Sequence, residues 1–353
     1  MSLLKKPLTL IFGSIALLSC ATQTAYAGQY KTILIHGFQA DQLANASNTD
    51  VALDGEQYWS SFWLNHADER IDWPSYERLE GKIATDYIWP KLQQLSRDNV
   101  CNPGCVFVTH STGDLVARYI LDNQANWLEN ASMQPLNIVA TFDLAGAGGG
   151  SELADIAVNA ATDPSAVGSL VRQAIELWLG EIPQSGLGVL HDLKVNNARQ
   201  TAQLPSDNAP RLRFVADDSD FLNLTSPFIA GNDDGVVATH SSCGASRADS
   251  FGSCSSNIDL DGHLKSQSDA VSGFMPYHYP LLMSDEYSHG NITDSAYQGT
   301  VAPATTQINL PGYKNISYNT YEKTTGSWFW KKTYRLVSES KQQSYSTLIL
   351  NSL

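Results

Sequence analysis

Five residues in the first third of the chain, Thr109-His110-Ser111-Thr112-Gly113, have the pattern of a hydroxyl set for nucleophilic attack on an acyl carbon. The run Cys105-Val-Phe-Val-Thr109 precedes the serine and an amphipathic stretch from Leu115 to Leu121 follows it, which places Ser111 at a strand-to-helix turn. Such a turn needs small residues two places before and after the serine. Gly113 meets that need fully, and Thr109 meets it with a compact side chain where glycine is usual. A serine before a helix can equally be an N-cap, but the strand, the helix and the other motifs agree on a nucleophile. Acyl transfer also requires N–H donors for the oxyanion. Thr112, directly after the serine, and Phe38, in the loop His36-Gly37-Phe38, are the expected donors. His36, Gly37 and His110 are expected at the substrate, the glycine because it lets backbone approach closely, although a plain tight turn would use it too.

The elements that must hold these groups alternate in type. Lys31 to Ile35, Cys105 to Thr109, Asn137 to Asp143 and Arg211 to Val215 read as strands, and Tyr279 to Met283 as a further one. Between the first two, Lys82 to Leu95 has helical spacing with a kink at Pro90. Glu152 to about Leu204 is largely helical, either a cap over a site or ordinary packing helices; its place between two strands favours a cap. The pattern predicts an α/β fold: a mostly parallel sheet with helices on both faces. From Ile316 to Leu350 aromatic, aliphatic and polar residues alternate, as strands added outside the main sheet would.

The 353 residues carry 22 basic and 36 acidic side chains, a net charge of -14, which disfavours nucleic acid and anionic bilayers and suits neutral substrates. Lys5 and Lys6, an apolar run from Leu8 to Leu18 and Ala25-Tyr26-Ala27 have the layout of a secretion signal over residues 1–27. The run is too short for a membrane span, which needs about 20 apolar residues. Leu17-Leu18-Ser19-Cys20 offers an alternative, lipidation at Cys20, but Leu18 is bulky for that signal. The chain is thus expected to be secreted or periplasmic, where cysteines oxidise. Cys101 with Cys105 and Cys243 with Cys254 are the expected disulfides; a zinc site is the rival, without the usual spacings.

At four places the chain resembles the secreted true lipases of Gram-negative bacteria, within the α/β-hydrolase superfamily. Ile33-Leu-Ile-His-Gly-Phe38 is similar to that family's first strand and oxyanion loop, and Thr109 to Tyr119 to its elbow and helix. Gly150-Ser-Glu-Leu-Ala-Asp155 is similar to the segment after the next strand, and Asp233-Asp-Gly-Val-Val237 with Ser241-Ser-Cys243 to the acid loop. The resemblance implies that Asp234, directly before Gly-Val-Val, is the acid; Asp233, Asp217, Asp218 and Asp220 are its rivals. The base must follow Asp234. The candidates are His240, His263, His278 and His289; His240 comes too soon, and His289, after the apolar stretch ending at Met283, is chosen over His263, which is closer to the family's usual spacing but whose preceding segment lacks a convincing strand. The family's calcium uses an aspartate just after the histidine, where this chain has Gly290 and Asn291, so no metal or cofactor is expected.

The resulting expectation is a hydrolase domain over 28–300 with a cap insertion at about 152–205 and a β-rich extension over 301–353. Its reaction would be hydrolysis of a neutral ester or lipid, with transient contact at a lipid interface. Two other readings stay open: a polyester depolymerase of the polyhydroxyalkanoate type, using the same three residues, and a non-catalytic binding protein on a hydrolase scaffold.

Overall fold

Ile33 and Ile35 of β1 (Lys31–Ile35) pack into one apolar cluster and Leu34 into another, so the strand is buried on both faces. Phe107 of β3 (Cys105–His110) joins the first cluster while Val106 and Val108 join the second. This pattern fits a parallel sheet covered on both sides.

The computed structural model describes residues 30–353 except 44–45, 164, 166, 182–186, 202–208, 246–277, 283–286, 295–305, 310–314, 319, 326, 331 and 338–343. In chain order its main elements begin with β1, α1 (Asn48–Tyr58), β2 (Glu69–Ile71), α2 (Trp89–Arg97), β3, α3 (Gly113–Asn130) and β4 (Ile138–Leu144). There follow α4 (Glu152–Thr162), α5 (Ser169–Leu179), α6 (Val195–Gln200), β5 (Arg211–Val215), α7 (Thr239–Ser242) and β6 (His278–Leu282). The tail holds β7 (Thr306–Asn309), β8 (Asn315–Tyr318), β9 (Thr320–Thr325), β10 (Lys332–Val337) and α8 (Tyr345–Ser352).

The main sheet has the order β2-β1-β3-β4-β5-β6-β10-β9. Its first six strands run parallel, as does β10 beside β6, and β9 closes the edge antiparallel. α2, α3 and α4 contribute Leu92, Leu115, Ile120 and Ala157 to the cluster on one face. On the other, Phe142, Phe214 and Leu212 pack with Trp59, Trp63 and α8's Tyr345 and Ile349. A parallel sheet between two helical layers, with a serine on a left-handed turn after its third strand in chain order, is an α/β-hydrolase fold.

Three local differences from the sequence expectation have simple causes. The helix expected across Lys82 to Leu95 is two segments, a π-helical stretch Leu79–Ile88 and α2; Pro90 falls in the first turn of α2, where no N–H is needed. α1 forms in polar surroundings without an apolar stripe to announce it, and Ser47 and Asp50 form a reciprocal capping box at its start. The tail is not wholly outside the sheet. β9 and β10 extend it, β7 and β8 pair separately, and the chain ends in a helix whose Ser346 accepts the Trp63 indole N–H at 2.9 Å.

Cys101 and Cys105 form a disulfide at the entrance to β3. Cys243 is also disulfide-bonded, and Cys254, its expected partner, lies outside the described residues, as do residues 1–27 and His263. Among the described residues no helix is long and apolar enough to cross a membrane.

Candidate active site

Ser111 has φ 56°, the left-handed conformation that turns the chain sharply from β3 into α3 and lifts the side chain off the sheet rim. Two bonds fix the bend: the Ser111 N–H donates to the Leu144 carbonyl at 3.1 Å, and the Ala147 N–H donates to the Ser111 carbonyl at 2.8 Å. A Cβ at Gly113 would run into the Ile35 carbonyl and stand 2.8 Å from that of His36, so the first turn of α3 can pack on the end of β1 only as glycine. Thr109 occupies the other small position fully buried, and its hydroxyl donates to Asp143 at 2.7 Å. That carboxylate also accepts from Thr141 at 2.8 Å and lies 3.4 Å from the Arg213 guanidinium; burial first, then Asp114, push it up to about 6. Threonine is accommodated here because its hydroxyl has a buried acceptor.

His289 Nε2 lies 2.9 Å from Ser111 Oγ, and its Nδ1 lies 2.8 Å from Asp234 Oδ2. The remaining oxygen of Asp234 accepts the Val236 and Val237 N–H groups at 3.0 and 2.7 Å, so this fully buried carboxylate is saturated and aimed. Burial lowers the His289 pKa, but the charge and hydrogen bond of Asp234, with Asp220 adding, outweigh it and leave the imidazole above its ordinary value.

The rivals bond other partners, and of the rival acids Asp220 stands in the same pocket, where it accepts from Ser288 and Gly290. Asp233 accepts the Gly235 N–H and the Ser226 hydroxyl, and Asp217 accepts the Asn232 amide. His240 is bonded between Arg199 and Glu152 at 2.7 Å on either side. Those bonds explain the Gly150 to Asp155 motif. Ser151 donates to the Val236 carbonyl at 2.6 Å, Glu152 meets His240, and Asp155 accepts the Val195 N–H at 3.0 Å, so the segment stitches the 233–237 loop to α4 and α6.

A pocket of about 170 Å³ opens beside Ser111 and His289. Phe38, Trp178, Leu193, Phe221, Val236 and Val237 supply apolar wall, with Tyr58 and Asp220 at polar points. Trp178 of α5 packs on Phe38 with ring centroids 5.5 Å apart, which brings α5 against the loop that follows β1. The Phe38 and Thr112 N–H groups have no hydrogen-bond partner among the described residues. Thr112 stands at the N-terminus of an 18-residue helix, whose partial positive charge faces the same place.

His36, Gly37 and His110, expected at the substrate, are not among the residues that line this pocket. His36 is fully buried, stacked on Trp73, and accepts that residue's N–H at 3.1 Å through Nε2. Gly37 comes close to Ser111: a Cβ there would stand 2.6 Å from that of Ser111. His110 Nε2 donates to the His289 carbonyl at 2.8 Å, which leaves Nδ1 to accept the Tyr58 hydroxyl. Burial, then His289, hold the His110 pKa well below its usual value, which keeps the neutral ring this chain of bonds requires. Tyr58 escaped the sequence reading because nothing in an isolated aromatic segment shows that it meets a strand 52 residues on.

Among the described residues no cluster of three histidine, cysteine or acidic side chains could hold a metal ion. No family model matches the chain, and no curated protein does. Solved structures do: a mature Bacillus licheniformis lipase at 14% identity and TM-score 0.42, covering 75% of this chain and 86% of that one. A Staphylococcus hyicus lipase matches at 11% and 0.39 over 75% and 89%, and a metagenomic carboxyl esterase at 20% and 0.35 over 59% and 58%. None of the three lends this chain an activity.

Proposed function

We propose that this protein is an exported serine hydrolase of neutral carboxylic esters, acting through an acyl-enzyme on Ser111. The observation that carries the reading is the continuous line from Ser111 Oγ to His289 at 2.9 Å and from His289 to Asp234 at 2.8 Å. His289 takes the serine proton as Oγ bonds to the acyl carbon, and Asp234 fixes the tautomer with Nδ1 protonated. The carbonyl oxygen becomes an oxyanion that accepts from the Phe38 and Thr112 amides. As the tetrahedral intermediate collapses, the carbon–oxygen bond to the alcohol breaks and His289 returns its proton to that alcohol. Water then repeats the sequence on the acyl-enzyme, releasing the acid and restoring Ser111.

The acyl chain would lie against Phe38, Trp178, Phe221 and the Val236–Val237 pair, with the 152–205 segment as cap. Leu170 on α5 and Leu222 beside Phe221, 70% and 85% exposed, are apolar surface suited to brief contact with a lipid interface. Acylglycerols are therefore the preferred substrate class. A fluorophosphonate probe should label Ser111 in the folded protein, and Ser111→Ala should lower nitrophenyl ester hydrolysis by roughly 10⁴-fold or more. Unlabelled protein without ester hydrolysis would return the chain to the binding-protein reading, and a variant as fast as the parent would remove Ser111 as the nucleophile. Triolein, tributyrin and a polyester film compared side by side would separate a lipase from a depolymerase.

A further inference from the structure

We propose that Asp220 is a positioning residue for the base, a second carboxylate that grips the residues on both sides of His289 and so holds the imidazole against Ser111. The inference rests on the serine-hydrolase reading above and adds to it a residue outside the Ser111–His289–Asp234 line.

His289 is not carried by a helix or strand; it sits in the segment 287–294. Its own backbone is held twice, the N–H donating to the Asp234 carbonyl at 3.1 Å and the carbonyl accepting from His110 at 2.8 Å. The neighbours on either side are held by the loop that follows β5. The Asp217 and Asp218 N–H groups both donate to the Tyr287 carbonyl, at 3.1 and 3.0 Å. Asp220 then takes one residue with each oxygen: Oδ1 accepts the Ser288 hydroxyl and Oδ2 accepts the Gly290 N–H at 2.7 Å. The Ser288 N–H turns inward to Asn291 Oδ1 at 2.9 Å, which closes the segment on itself.

Only a carboxylate suits this position. Two donors converge on two separate oxygens, and an amide would present an N–H₂ to one of them. Bonds to an ionised acceptor are also the stronger kind. A Cβ at position 290 would stand 3.3 Å from Asp220 Oδ2, so a residue with no side chain lets the carboxylate close over the backbone. Asp220 also lines the pocket. The titratable groups facing the imidazole are thus Asp234, Asp220 and His110, with Tyr58 beyond; the two carboxylates favour its protonated form and the neutral His110 does not.

Two variants of the full chain test the proposal, with a soluble nitrophenyl ester as substrate and thermal melting as the check on folding. Asp220→Asn removes both the charge and one acceptor. It should lower kcat about 10- to 100-fold with little change in KM, and move the acidic limb of kcat/KM to lower pH. Ser288→Ala removes one grip but leaves the charge, so it should lower kcat with the limb unmoved. Folded Asp220→Asn protein with parental kcat, or with its acidic limb in place, overturns the proposal; should that variant not fold, Ser288→Ala at parental kcat does so. Fluorophosphonate labelling of the parent at Ser111 separates the two levels, because a parent that is not labelled refutes the hydrolase reading and not the grip alone.

Discussion

His110 donates through Nε2 to the carbonyl of His289 at 2.8 Å, so the residue before the proposed nucleophile holds the backbone of the proposed base. A chain that must approach within hydrogen-bond reach of Ser111 from 178 positions away needs such a tether. Replacing His110 with phenylalanine keeps an aromatic ring but removes the bond and leaves the Tyr58 hydroxyl without its acceptor. The expected outcome is a kcat roughly 10- to 100-fold lower with KM nearly kept, as for small misplacements of a catalytic group. Melting should show a loss of about 1–3 kcal/mol for the stranded buried hydroxyl.

The raised pKa of His289 sets the direction of the pH dependence. Only the neutral imidazole can take the serine proton, so kcat/KM should rise with pH through a value above the ordinary histidine range. Because the folded pKa is the higher one, the stability this group contributes is present below the unfolded value and lost as pH rises through the folded one. Activity and that share of stability should therefore change in opposite senses over the same interval, in parallel rate and melting profiles. Asp234→Asn should bring kcat down by about 10⁴-fold while the acid loop, tied at Val236 and Val237, stays folded.

Asp233, beside the proposed acid, is pushed up to about 6 by burial, against its bonds to Gly235 and Ser226. Its raised value means that the fold favours the protonated form: its contribution to stability is full below the unfolded pKa near 4 and is lost as pH rises through about 6. Asparagine can still accept from Gly235 and Ser226 without carrying the charge. Asp233→Asn should accordingly melt higher than the parent at pH 7 to 8, by the equivalent of about 1–3 kcal/mol, with the gap closing toward pH 4. A constant difference across that range would contradict the assignment.

Chelator should leave both activity and melting temperature unchanged. In the lipases that this sequence resembles, calcium binds beside the histidine; here Gly290 and Asn291 follow His289, and the segment is instead bonded to Asp220. A large loss of rate in EDTA, restored by calcium, would show that a metal shares that task.

The strands were legible because their cause is local. Four β-branched or apolar runs coincide with β1, β3, β4 and β5 to within a residue, since burial on both faces leaves an unbroken apolar pattern. β2 is three residues of mixed polarity, Glu69–Ile71, and becomes a strand only by lying against β1. Asp234 and His289 could be named only with rivals, because every acidic loop residue is an equally good turn former.

Ser111 is the one site residue whose placement the sequence determined by itself. A strand, a cramped turn and a helix are neighbours along the chain, and their sterics leave the serine a single conformation. Which histidine meets it, that His110 and His36 turn away from the pocket, and that Asp220 holds the segment carrying His289 were decided by tertiary structure alone. Those contacts join residues 37 to 179 positions apart, and hydrogen bonds across such gaps are fixed by how the sheet is ordered and not by any pattern along the chain.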